Sequence, residues 1–152
     1  MHPLPRDFSD FLKLLNGHNV RYLIVGGYAL AYHGYVRATG DLDIFVEKSA
    51  DNAAKLVQVL REFGFDVPEL RAELFTQDKS LVRLGREPVK LELMNDISGV
   101  TFAECFAHRT EAEVEGLKLP FIEREELIRN KLATGRGKDK ADVEELQRRT
   151  PR

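Results

Sequence analysis

One cysteine, no tryptophan, two methionines and four histidines leave this chain of 152 residues short of the side chains on which several chemistries depend. With Cys105 alone no internal disulfide can form, and there is no second thiol for a redox or zinc motif. A nucleophilic role for Cys105 would need a base oriented by a third group. His108 lies close in sequence, but no such third group stands out, and packing is the expected role. His2, His18 and His33 are too scattered to suggest a zinc site. His33 is expected at the surface, with a place on a cleft wall as the alternative. Long apolar runs are missing too, so no segment is expected to cross a bilayer. The opening Met-His-Pro-Leu-Pro-Arg-Asp lacks the basic start and apolar centre of a signal peptide, and a cytoplasmic location is expected. Nor is there an excess of positive charge. A net charge of −2 argues against broad electrostatic binding of nucleic acid, though not against a local basic groove.

What is present, 43% apolar and 32% charged residues, suits a soluble globular chain. The length predicts one domain over residues 1–152, able to bury about two-thirds of its unfolded surface. The patterning predicts an α/β (α+β) fold, a mixed β-sheet with helices packed against it. Asp7 is the expected N-cap of a helix burying Phe8, Phe11, Leu12 and Leu15 and ending at Asn16-Gly17. Ser49 opens another, with Ala53, Leu56, Val57, Leu60 and Phe63 inward and Gly64 past its end. Residues 65–80 give no clear pattern. Leu81 to Leu84 and Val89 to Met94 read as strands joined through Gly85-Arg86-Glu87-Pro88, and Thr110 to Leu119 as a further hairpin turning at Gly116. Residues 123–149 read as a C-terminal helical pair, Glu123 to Ala133 and Lys138 to Arg149, around the turn Gly135-Arg136-Gly137.

Three stretches carry chemistry. Tyr22-Leu-Ile-Val25 reads as a strand closed by Gly26-Gly27, with a helix expected from Tyr28 to Tyr35. The glycines would then form the turn where backbone N–H groups face an anion, unless they are only a tight connection. Next comes Asp41-Leu42-Asp43-Ile44. In a strand alternate residues share a face, so the two aspartates project together, roughly 7 Å apart, while Leu42, Ile44 and Val46 face the core. Such a pair can converge on a hard divalent cation such as Mg²⁺, whose remaining ligands are commonly waters and substrate phosphates. Finally, Val89 to Met94 alternates, putting Lys90, Glu92 and Met94 on one face. Should that strand lie beside the aspartates, Glu92 would complete a carboxylate triad whose repulsion calls for a cation.

Gly26-Gly27, then Arg37-x-Thr39-x-Asp41-x-Asp43, then a carboxylate on a later strand, resembles the signature of the nucleotidyltransferase superfamily. Within it the chain is most similar to the small bacterial nucleotidyltransferases of the AbiEii type, found in abortive-infection and toxin–antitoxin systems. The resemblance continues through Asp96-Ile-Ser-Gly-Val-Thr-Phe102, Phe121-Ile122, Leu127-Ile-Arg-Asn-Lys131 and Gly135-Arg-Gly-Lys-Asp-Lys-Ala-Asp142, spanning about residues 20–146. It implies a nucleotidyltransferase-like fold that uses Mg²⁺ (or Mn²⁺) and an NTP. A nucleoside monophosphate would pass to an acceptor hydroxyl on RNA (a tRNA 3′ end), a protein or a small molecule, with an antitoxin as a further partner. Asp41, Asp43 and Glu92 would be the catalytic and metal-binding acids. Gly26, Gly27, Arg37, Thr39, Lys131 and Lys138 would contact the nucleotide. Two positions depart from the pattern: the superfamily commonly has Gly-Ser where this chain has Gly26-Gly27, and close relatives often carry Asp in place of Glu92.

Lys131, Arg136 and Lys138 could reach the β and γ phosphates, the resemblance favouring Lys131, or could form a solvated helix face. Asp139 and Asp142, one turn apart, are assigned support, either orienting Lys131 or capping the helix start. Two rival readings remain. A glycosyltransferase can use Asp-x-Asp to hold a nucleotide sugar, and a nucleotidyltransferase-like fold can bind a partner or nucleotide without turnover.

Overall fold

The computed structural model describes residues 4–37, 40–86 and 89–149. Among them, seven helices surround one six-stranded sheet. In chain order the elements are α1 (Arg6–Gly17), β1 (Tyr22–Val25), α2 (Gly26–Tyr32), β2 (Asp41–Val46), α3 (Ala50–Phe63), α4 (Glu73–Thr76), β3 (Leu81–Arg86), β4 (Val89–Met94), α5 (Phe102–Ala107), β5 (Thr110–Val114), β6 (Leu117–Phe121), α6 (Arg124–Thr134) and α7 (Gly137–Arg148). None of these helices is long and apolar enough to cross a membrane.

The strands lie in the order β3-β4-β2-β1-β6-β5. Two neighbouring pairs, β2 with β4 and β1 with β6, run parallel and the rest antiparallel, so the expected mixed sheet is the one observed. Alternation sorts its two faces. Tyr22, Ile24, Leu42, Ile44, Val46, Leu91 and Leu93 are buried, and the Tyr22 hydroxyl donates to Asn16 Oδ1 of α1 at 2.8 Å, marking the face that carries α1. On the other face Phe45 meets Phe102 of α5 edge-on, with ring centroids 5.2 Å apart. The chemical side chains of β2 and β4 open on this second face, at the end of the sheet away from α5.

Helix ends follow local chemistry, with corrections to the sequence reading. Ser49 caps α3 by accepting from Asn52 N, and Gly64, at φ +109°, closes it in a conformation that a side chain would strain. Asp7 is not the cap of α1: Pro5 holds that position without a side-chain bond, its carbonyl accepting from Phe8 N and Ser9 N, and Asp7 lies in the first turn. Proline fits because the position needs no N–H donor. The helix after β1 starts at Gly26, two residues earlier than expected, and ends at Tyr32, three earlier. His33 is buried, not at the surface, with Nε2 2.8 Å from the Ile122 carbonyl oxygen, tying the end of α2 to the chain leaving β6. In residues 65–80 the single-turn helix α4 is too short for a periodic signal. The β5–β6 hairpin turns through Glu115 and Gly116, both at positive φ (52° and 81°), as expected for a tight two-residue connection.

Candidate active site

The β-ladder alone assembles an acidic row. Val25, Asp43, Glu92 and Arg83 are register partners in turn across β1, β2, β4 and β3. Asp41 precedes Asp43 on the same face. Carboxylate oxygens of Asp41, Asp43 and Glu92 lie within 4.8 Å of one another, a group that could hold a metal ion.

Asp43 is the strained member. Burial pushes its carboxyl up, the charge and hydrogen bond of Glu92 push it further, and Asp41 adds to both. Lys131 only partly offsets them, leaving the group at about 7. Its Oδ1 is buried and, among the described residues, has no hydrogen-bond partner. A buried, unsatisfied carboxylate oxygen facing two more acids is costly unless a cation completes it.

Gly26 makes the space. At φ +66° it adopts a backbone that a side chain would resist, and a Cβ there would lie 2.2 Å from Asp43 Oδ2. The helix it begins has seven residues, so its dipole is small, and what the glycine contributes is clearance over the aspartate. Gly27 is buried in the same first turn.

Gly26 and the three acids, but not Gly27, line a cleft of about 480 Å³, walled by β3 and β4 on one side and by α6 and the start of α7 on the other. Lys131 of α6 lines it while only 7% exposed, its Nζ 3.0 Å from both Asp139 Oδ1 and Asp142 Oδ2 of α7. Arg136 also binds Asp139, through Nε at 2.6 Å. Burial pushes the Asp139 carboxyl up, but hydrogen bonds from Thr134, Lys131 and Arg136 outweigh it and bring the group down to about 2. Arg37 grips Asp142 with two parallel bonds of 3.0 Å, from Nε and Nη2. The segment before β2, α6 and α7 are therefore joined by a charge network whose lysine and aspartates are buried, and Asp139 and Asp142 orient Lys131.

Other predicted positions lie as follows. Lys138 is exposed on the cleft rim. Thr39 lies outside the described residues. Sequence reasoning missed Arg83, whose Nε donates to Glu92 Oε1 at 3.0 Å, and the cleft-lining loop Asp96-Ile97-Ser98. A four-residue turn from Gly85 to Pro88 would set Arg83 opposite Lys90, whereas the strands run on to Arg86 and Val89 and bring Arg83 opposite Glu92, two positions along. The loop is pinned by Gly99, at φ +81°, where a Cβ would lie 2.7 Å from Ala133 Cβ, and by Asn130 Nδ2 donating to the Ser98 carbonyl at 2.9 Å.

Two other features compete for attention. A larger groove of about 670 Å³ lies between α1, the end of α3 and β4, but its acids, Asp7, Asp10 and Glu62, form no converging group. Glu104, Cys105 and Glu126 do converge. There Glu126 Oε1 is also buried without a partner among the described residues, but Oε2 is engaged by His108 Nδ1 at 2.9 Å and Arg129 lies beside both glutamates, so cationic partners are already in place. Cys105 is buried, and burial together with the charges of Glu126 and Glu104 pushes its thiol up to about 12, which disfavours the reactive thiolate.

Residues 5–152 match a family described as nucleotidyl transferase of unknown function (DUF2204). The chain belongs to this family. No curated protein matches it. Solved structures give the fold of this DUF2204 member independently. One is a nucleotidyltransferase candidate from Thermotoga maritima, 19% identical, covering 97% of this chain and 98% of its own, with a TM-score of 0.66. Another is the lincosamide antibiotic adenylyltransferase LnuA, solved with lincomycin, at 17% identity, 97% and 98% coverage and a TM-score of 0.58. A third is the antibiotic-resistance factor ANT(2'')-Ia, at 13% identity, 92% and 80% coverage and a TM-score of 0.60. At these identities the likeness concerns the fold.

Proposed function

We propose that this DUF2204 chain is a Mg²⁺-dependent nucleotidyltransferase that moves a nucleoside monophosphate from an NTP to an acceptor hydroxyl and releases pyrophosphate. The observation that carries the reading is the orphaned Asp43 Oδ1, on a carboxylate that converges with Asp41 and Glu92 and whose other oxygen lies beneath the space that Gly26 leaves. Such a donor set, oxygen only and open to a cleft, suits Mg²⁺ or Mn²⁺. Asp41 and Asp43 would hold the ion, and Glu92 would hold a second ion or take the proton of the attacking hydroxyl. Once bound, the metal supplies neutralisation of charge on the phosphates. Lys131 would supply a fixed positive charge deep in the cleft, and Lys138 and Arg37 a more distant one. Gly27 and Thr39 would complete the nucleotide contacts. Nucleotidyl transfer asks mainly for alignment and charge compensation, and no covalent intermediate on the protein is required.

The acceptor is a small hydroxylated molecule, a protein or the 3′ end of an RNA such as tRNA. The first is supported by the neighbour named a lincosamide antibiotic adenylyltransferase, solved with lincomycin. A place in an AbiEii-type toxin–antitoxin pair, with an antitoxin as partner, rests on the sequence resemblance and is tested by inspecting the adjacent gene. The activity is tested by incubating purified protein with each α-labelled nucleoside triphosphate and Mg²⁺ or Mn²⁺, in separate pools of RNA, protein and hydroxylated antibiotics. Label should appear in one pool and vanish with Asp43→Asn. Label that survives this substitution, or no transfer with any nucleotide, counts against the proposal, and metal-dependent binding without transfer would favour a binding protein of the same fold.

A further inference from the structure

Arg83 faces the three acids without belonging to them. It lies on the edge strand β3, opposite Glu92 in the ladder. Its side chain is 67% exposed and that of Glu92 only 20%, and both line the acidic cleft. An ion pair this exposed adds little to stability, so the fold does not depend on it. Its effect falls on Glu92 instead, because a carboxylate held by a guanidinium is a poorer ligand until the arginine leaves. Of the five N–H donors in that fork, the contact with Glu92 Oε1 uses one, from Nε. Two of the three cations on the opposite wall are more committed, Lys138 being exposed at the rim. Lys131 is shared between Asp139 and Asp142, and Arg136 is held by Asp139.

We infer that Arg83 is a displaceable counter-ion of Glu92 and a phosphate-binding residue: it neutralises Glu92 until a divalent cation takes that carboxylate, then turns its fork onto the phosphates of a nucleoside triphosphate. The inference rests on the nucleotidyl-transfer reading of the cleft and names a residue which that reading leaves unused. It has a thermodynamic consequence. Metal and nucleotide favour the same arrangement of Arg83, so each raises the affinity for the other, and by linkage the two effects are equal. Guanidinium matches phosphate by paired parallel bonds, which an ammonium cannot reproduce.

Equilibrium binding of Mn²⁺ alone, and of a non-hydrolysable nucleoside triphosphate analogue at saturating Mn²⁺, tests this on the wild-type chain, Arg83→Ala, Arg83→Lys and Asp43→Asn. Removing the competitor should tighten Mn²⁺ binding to Arg83→Ala roughly three- to tenfold, while analogue binding weakens by about tenfold, the scale of one charge-assisted contact. Arg83→Lys should fall between on both counts. Thermal unfolding without ligand should match the wild type and show that the edge strand is intact. Unchanged or weakened Mn²⁺ binding in Arg83→Ala, or unchanged analogue binding, overturns the inference. The two failures are separable. Should Asp43→Asn bind Mn²⁺ as the wild type does, the metal-site reading itself goes. Should Asp43→Asn lose Mn²⁺ while Arg83→Ala titrates like wild type, only the role of Arg83 goes.

Discussion

A carboxyl that ionises near pH 7 in the folded protein and near 3.8 when exposed keeps, between those values, a proton that the unfolded chain has already released. Stability contributed by that proton is complete below about pH 4 and is lost as pH rises through 7, because the folded state binds more protons than the unfolded one across this window. On the proposed reading, an aspartate that the fold would rather keep neutral has to bind the metal at neutral pH. In Asp43→Asn the metal-free protein should gain on the order of 1–2 kcal/mol at pH 8, discounted from the full shift because the cleft admits water. Its stability should also become flatter between pH 4 and 8. Denaturant unfolding without metal checks this, and a loss of stability at pH 8 would show that Asp43 is held by contacts and not opposed by them. Gly26→Ala works against the same residue from the other side. Its Cβ would collide with Asp43 Oδ2 and its φ is unfavourable for alanine, so a loss of roughly 1–3 kcal/mol is expected. Mn²⁺ binding should fall with it. A fully stable, metal-binding variant would mean that α2 can shift without disturbing the acids.

At the scale of elements, α6 and α7 are joined by a lysine between two aspartates as well as by buried apolar side chains. Lys131→Ala would leave Asp139 and Asp142 buried with a partner removed, and such losses cost about 3–5 kcal/mol. Arg37→Ala should cost less, since Lys131 still neutralises Asp142 and Arg37 is partly exposed. Chemical denaturation of the two variants tests the ranking, and equal losses would assign Asp142 chiefly to Arg37. Which of these features the sequence disclosed follows from their range. Asp41, Asp43 and Glu92 were legible because period-two alternation fixes faces, and their apolar neighbours fix which face is buried. The partners of Arg37 and Arg83 were not. Arg37 meets Asp142 across 105 positions of chain, and Arg83 meets Glu92 through a hairpin whose turn is shorter than its Gly and Pro residues suggest. His33 was misplaced for a related reason: the carbonyl that satisfies it belongs to Ile122, and no local pattern announces a distant backbone acceptor.

The whole molecule places an unfavourable cluster of negative charge at one end of its sheet and braces the facing helices with buried ion pairs. Ligands that neutralise the cluster should therefore stabilise the entire fold, since binding to the native state alone raises stability by RT ln(1 + [L]/Kd), about 2.7 kcal/mol at a hundred times Kd. For a chain of this size that is a rise in Tm of roughly 5–10 °C. Mg²⁺ alone should give a small rise, an NTP alone little, and the two together more than their sum, because the metal removes the repulsion that would otherwise face the triphosphate. The gain should grow from pH 6 to pH 8, as Asp43 loses its proton and the metal no longer competes with it. Asp43→Asn should abolish the joint effect while its ligand-free Tm rises at pH 8. Differential scanning of both proteins at the two pH values, with each ligand separately and together, makes the comparison. Equal, additive shifts in wild type and Asp43→Asn would locate binding away from the three acids, and their crowding would then serve no nucleotide or metal.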